Sequence, residues 1–318
     1  MADMSKTYGC RTLRLPGMTI DITAARGFMA THARLLDRRR FELLLGDGSP
    51  DAVLAAVDGY RNPDGGYGWG LEPDLRAPES QPGGALHAFE AFADAAPARS
   101  PHAVALCDWL DSVTLPDGGL PFALPVADAS GLAPFWANAD PTASSLQITA
   151  YVTGTAYRTG DPDVVAHPWL ARATDYCLSA IASLDDDPFA IAVLASLGFL
   201  DQVRDSRPEA DALIDRLGAV IPESGRLAVR GGKEDESLGP LDLSPYPDRP
   251  SRRLFAPGLI EAELERLAAE QRDDGGWTVD FQNYSPQAEL EWRGYATVQA
   301  VSILRGNGYS GIGSDPTP

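Results

Sequence analysis

Lysine is almost missing from this chain of 318 residues: Lys6 and Lys233 are the only two, and arginine carries the rest of the basic charge. Acidic residues outnumber basic ones by 45 to 26, for a formal net charge of −19. That surplus repels phosphate backbones and anionic lipid, which argues against a nucleic-acid binder and against docking on a charged membrane. Cysteine is scarce as well. Cys10, Cys107 and Cys177 are odd in number and widely separated, so no disulfide framework is indicated and a reducing compartment fits. No apolar run reaches the roughly 18 residues that a membrane-spanning helix needs. The opening MADMSKTYGC has neither the charged start nor the apolar core of a secretory signal. The expectation is a cytoplasmic protein. Phosphate-loop, zinc-protease, nucleophile-elbow and paired-cysteine motifs are also absent.

What remains is a chain with 44% hydrophobic and 22% charged residues, well able to bury a core. Its organising feature is a repeat. A turn centred on glycine and followed by an apolar or aromatic tail recurs at 62–69 (NPDGGYGW), 115–122 (LPDGGLPF) and 272–279 (RDDGGWTV), with a degenerate copy at 222–229 (PESGRLAV). The first turn glycines, Gly65, Gly118, Gly225 and Gly275, stand 53, 107 and 50 residues apart. The middle interval is about double the others, and Asp185–Phe189 (DDDPF) fills it as a unit that has lost its turn.

Each turn lies between two helical patterns. Amphipathic stretches at 52–60, 103–113 and 260–271 precede the turns, and more apolar ones at 83–95, 142–158 and 290–305 follow them. Further helices are expected at 23–45, 168–183, 189–203 and 209–219. Proline stops the first helix of a unit, and glycine takes the positive φ of the turn. A helix pair cannot bury both faces alone, so five or six pairs must stack, and closure of the stack gives an all-α α/α toroid. Trp69, Phe122 and Trp277 are expected to pack between neighbouring outer helices. Residues 1–18 and 306–318 read as tails, 19–305 as a single toroid domain, and 230–257 as a long loop insertion rich in proline, glycine and charge.

Over residues 50–305 the turns resemble the repeats of squalene–hopene and oxidosqualene cyclases and of protein prenyltransferase β subunits. The resemblance implies a fold like the β-domain of class II terpenoid cyclases. Those enzymes carry D-x-D-D-T-A at the start of an inner helix, and this chain reads Asn138-Ala-Asp140-Pro-Thr142-Ala143 in that place. The resemblance implies that Asp140 is a general acid that starts cyclisation of a polyprenyl substrate, with Asn138 orienting it. Protonating an alkene requires a carboxyl held neutral by burial and hydrogen bonding. Asp140-Pro-Thr is equally a good helix start, with the aspartate as N-cap.

Glu72, Asp74, Asp280, Glu291 and Arg293 follow the other turns, and in a toroid they converge with Asp140 on one mouth with Phe135, Trp136, Phe281, Tyr284 and Trp292. Such aromatics suit a hydrocarbon or a developing cation. The alternative places most of these charges on a solvated rim. Asp175-Tyr-Cys177 has the spacing of a prenyltransferase zinc site, but none of the four histidines is spaced to complete it, and no metal is expected. No cofactor is required; Mg²⁺ enters only if the substrate is a diphosphate, for which Arg252 and Arg253, with Arg249 nearby, are candidate contacts. The expected partner is a small isoprenoid, and a single ring needs the long loop, a partner domain or a second copy to close its cavity. Two further readings stay open: a non-catalytic toroid that binds an apolar ligand or a protein, and an (α/α) carbohydrate lyase or hydrolase with Glu72 and Asp140 as paired carboxylates.

Overall fold

The computed structural model describes residues 19–309. Helices dominate: α1 (Ile22–His32), α2 (Leu35–Leu45), α3 (Pro50–Val57), α4 (Pro82–Asp94), α5 (Ala103–Val113), α6 (Pro134–Ala137) and α7 (Leu146–Arg158) form the first half. The second half comprises α8 (Pro162–Val165), α9 (Pro168–Ala182), α10 (Ala190–Val203), α11 (Ala210–Gly218), α12 (Pro240–Leu243), α13 (Pro257–Ala269) and α14 (Pro286–Gly306). Proline opens α3, α4, α9, α13 and α14, where its missing N–H costs nothing. Ser49, Ser145 and Ser285 accept hydrogen bonds at the starts of α3, α7 and α14.

Six hairpins close into a double ring. The outer helices are α1, α3, α5, α9, α11 and α13, and their inner partners are α2, α4, α7, α10, α12 and α14. In the inner ring α4 packs on α7, α7 on α10, α10 on α12, and α14 on α2. Closure follows from one contact used repeatedly: each glycine turn docks on the next outer helix. Gly65 lies against Ala105 of α5, Gly118 against Arg172 of α9, and Gly275 of the last turn against Ala24 of α1. Gln271 seals the same seam, accepting from the Asp21 amide at 2.7 Å and donating to the Asp21 carbonyl at 2.8 Å.

The three Asp-Gly-Gly turns share one geometry. The first glycine adopts φ of 94°, 93° and 90° at Gly65, Gly118 and Gly275. The second glycine donates to the turn aspartate at Asp64 (2.9 Å), Asp117 (3.1 Å) and Asp274 (3.1 Å). The residue that follows, Tyr67, Leu120 or Trp277, is buried. This corrects the expected register of the repeat, in which Trp69 and Phe122 filled the gap between outer helices. Trp69 is 59% exposed, and Phe122 instead stacks on Trp136 at 4.2 Å.

Three further expectations change. The helix expected over 23–45 is a hairpin, broken at Ala33 and Arg34, whose backbones are extended. Arg34 holds the corner by bonding Asp37 and the Leu71 carbonyl, both at 2.8 Å. The stretch 230–257 is not a bare insertion. It supplies α12, the strand β2 (Ser237–Leu238), which pairs antiparallel with β1 (Leu227–Ala228) just before it, and a 3₁₀ turn at Pro250–Leu254, with Leu241, Leu243 and Phe255 buried. The expected C-terminal tail begins too early: α14 runs to Gly306 and Tyr309 is buried. Cys10, Lys6, the expected tail 1–18 and residues 310–318 of the expected tail 306–318 lie outside the described residues. Among the described residues no helix is long and apolar enough to cross a membrane.

Candidate functional site

The inner ring encloses a throat of about 370 Å³, mostly apolar, walled by α4, α7, α10, α12 and α14. That volume falls within the ordinary range of small-molecule sites. Along α7 its lining runs from Gln147 to Arg158, about 16 Å at 1.5 Å per residue. Trp136, Tyr151, Phe199, Tyr246, Trp292 and Tyr295 contribute aromatic surface.

Asp242, at the third position of the short α12, opens into this throat. Asp242 is an exposed residue, and protein atoms are packed around its carboxyl. Its Oδ2 accepts from the Gly239 amide at 2.7 Å. Burial pushes its pKa up to about 6, helped by repulsion from Asp280 and Glu263, with the Gly239 bond and Arg266 opposing. A proton therefore resides on this group far more readily than on an ordinary carboxylate.

On the opposite wall, the buried imidazole of His87 is clamped between two carboxylates, with Nε2 2.8 Å from Glu72 and Nδ1 2.9 Å from Glu90. The carboxylates outweigh burial, and the His87 pKa rises to about 9. Glu90 is held down at about 2, since the attraction of His87 overcomes burial. Tyr295 donates to the second Glu90 oxygen at 2.8 Å, and Arg40 approaches Glu90 at 3.7 Å. The cluster is a fixed array of charge whose ring N–H groups are both committed.

Of the residues expected at the mouth, Glu72, Trp136 and Trp292 line the throat. Asp74 sits just behind, accepting from Trp292 Nε1 at 2.8 Å; burial raises its pKa to about 6. Phe281 packs edge-on against Trp292, with 5.2 Å between centroids. Phe135 and Tyr284, both exposed, meet at 5.5 Å near the rim. Asp280 is exposed and acts on the site only through its repulsion of Asp242.

Other expectations fail. Asp140 is exposed and accepts from both the hydroxyl and the amide of Thr142, at 2.7 and 2.8 Å. Those bonds favour its anion and lower its pKa, the reverse of what an acid needs. Nor does it cap α7, which starts at Leu146 with Ser145 as its cap. Asn138 is exposed and donates to the Pro134 carbonyl, not to Asp140. Arg293 faces away from the throat, pairing with the turn aspartate Asp274 at 2.7 Å and lying 4.5 Å over the Phe28 ring. Arg253 is taken up by Asp211 and Asp215, at 3.2 and 3.0 Å. Among the described residues no cluster of metal-binding side chains is gathered.

The fold has a counterpart among solved structures. The chain is similar to a variant of a type II terpene cyclase from Scytonema, solved in complex with its substrate geranylgeranyl dihydroxybenzoate. The TM-score is 0.50 at 13% identity, over 91% of this chain and 86% of that one. This chain has a terpene cyclase-like fold. No protein-family model matches the sequence, and no curated protein does.

Proposed function

We propose that the protein is a terpenoid cyclase acting on a polyprenyl substrate by protonation, with Asp242 as the general acid in place of Asp140. The observation that carries this reading is the Asp242 carboxyl, raised to about 6 and opening into a mostly apolar, aromatic-walled throat. The acid transfers its proton to one carbon of a terminal alkene and leaves a tertiary cation on the other. Successive alkenes then attack to form rings, and loss of a C–H proton to water or a pocket base ends the cascade, so the overall change is an isomerisation. Trp136, Tyr151, Phe199 and Trp292 present π surface that favours cations and excludes water. The fixed Glu72–His87–Glu90 array adds a permanent local field.

Size is consistent with this reading, since the similar cyclase is matched over most of its own length by a chain of one ring. A carbohydrate enzyme would require paired carboxylates in a wet groove, whereas Asp140 does not line the throat that Glu72 lines. The test is incubation with squalene and with farnesyl and geranylgeranyl diphosphates, with and without Mg²⁺, alongside Asp242→Asn. Cyclic product from the parent and none from the variant is expected. No product from any polyprenyl substrate would leave a toroid that binds an apolar ligand without converting it.

A further inference from the structure

The two ends of the throat differ in chemistry. Where the inner helices begin lie Asp242, Glu72, Trp136 and Trp292; where they end lie Arg158, the last residue of α7, and Arg249, which follows α12. Arg158 and Arg249, with Gln202 and Tyr246, also line a depression of about 560 Å³ on the surface at that end. The same side chains thus form the floor of the throat and the wall of its rear opening.

These arginines have donors to spare. Among the described residues and within 4 Å, Arg158 meets a carboxylate only at Asp94, 3.8 Å away, and Arg249 only at Asp248, 3.9 Å away; at longer range they attract Glu90 and Asp201. Both distances exceed those of a hydrogen-bonded ion pair. The nearby carboxylates are engaged elsewhere or solvated. Asp94 is bonded by Arg40 at 2.7 Å, Asp201 accepts from the amide and hydroxyl of Ser251 at 2.8 and 2.7 Å, and the side chain of Asp248 is 76% exposed. Arg249 is oriented by Tyr246, whose ring lies 5.9 Å from the guanidinium carbon and whose hydroxyl is fixed to Ser302 at 2.9 Å. Two guanidinium groups at the end of an apolar channel match one kind of ligand: a long apolar chain with an anionic head.

We propose that Arg158 and Arg249 bind the anionic head, phosphate or carboxylate, of the molecule whose hydrocarbon chain fills the throat. This rests on the cyclase reading for the identity of the chain and sets its direction, with the reacting alkene at the Asp242 end and the head at the rear opening. Of the arginines expected from sequence only Arg249 takes part, since Arg253 is already paired and Arg252 does not line the throat; Arg158 is not among them.

The proposal is tested by binding alone, without Mg²⁺, using the fluorescence of the throat tryptophans Trp136 and Trp292. Farnesyl diphosphate, farnesoic acid, farnesol and inorganic diphosphate are titrated into the parent, an Arg158→Gln/Arg249→Gln double variant and Asp140→Ala. The parent is expected to bind one or both farnesyl anions at least about tenfold more tightly than farnesol, the worth of one charge-assisted hydrogen bond. The double variant should bind anions and farnesol alike while farnesol affinity is unchanged, and Asp140→Ala should keep the parent preference. The two anions separate a phosphate head from a carboxylate. Equal binding of farnesol and both anions by the parent overturns the proposal, as does a preference that survives in the double variant or inorganic diphosphate competing as well as farnesyl diphosphate. A preserved preference without cyclic product would refute the cyclase reading and leave the anion site standing.

Discussion

Gly275 of the last turn is seated against Ala24 of the first helix so closely that a Cβ on Gly275 would collide with the Ala24 carbonyl. This contact turns a row of hairpins into a ring, because it repeats between the two ends of the chain the docking that Gly65 and Gly118 make within it.

Replacing Gly275 by alanine combines that collision with a φ of 90°. The expected loss is about 3 kcal/mol or more, from backbone strain and overpacking together. Gly46 has almost the same φ, 89°, but open space around its Cβ position, so Gly46→Ala should cost only about 1 kcal/mol. Chemical denaturation of the two variants checks the difference; equal losses would mean that the seam is not closed.

The His87 clamp makes stability depend on pH. Its pKa is about 9 in the fold against 6.5 unperturbed, so its contribution is complete below 6.5 and disappears as pH rises through 9. Unfolding free energy should therefore fall between those values by on the order of 3 kcal/mol in the parent, and stay level in His87→Gln. Glu90 behaves oppositely: its contribution is present above 4.5 and lost as pH falls through about 2.

Asp74 works against the fold near neutrality. Its pKa is raised from 3.8 to about 6, so the folded state holds the proton more tightly, and stability drops as pH rises through that interval. Asp74→Asn keeps an acceptor for Trp292 and removes the buried charge. It should raise stability by about 1 to 2 kcal/mol at pH 7 and change little at pH 3.5, as read from denaturation midpoints.

Asp140 serves a turn with Thr142. Asp140→Ala should leave product formation and ligand affinity unchanged, which steady-state kinetics would show. A loss of turnover comparable to that of Asp242→Asn would restore the assignment drawn from the motif.

The turns made the ring legible because glycine at positive φ and an aspartate accepting from the next amide demand particular residues in a particular order. The break at Ala33 and Arg34 was not, since no glycine or proline marks it; the corner is fixed by contacts of Arg34 with Asp37 and Leu71, one local and one distant. At the site, Glu72, Trp136 and Trp292 were found because they stand near turns. His87, Glu90, Tyr151 and Tyr295 lie within inner helices, where small and apolar neighbours read as core. His87 and Glu90, three apart on an otherwise apolar stretch, were the available signal. Asp242 is hidden in the sequence because its proline- and glycine-rich segment reads as loop, and only the tertiary fold brings α12 into the inner ring.

The most direct test of the account is to run the cyclisation in D₂O and weigh the product. Initiation by a solvent-exchanged carboxyl predicts one deuterium in each cyclic molecule formed by the parent and no cyclic product from Asp242→Asn. Unlabelled cyclic product, or parent-level turnover by the variant, would contradict it.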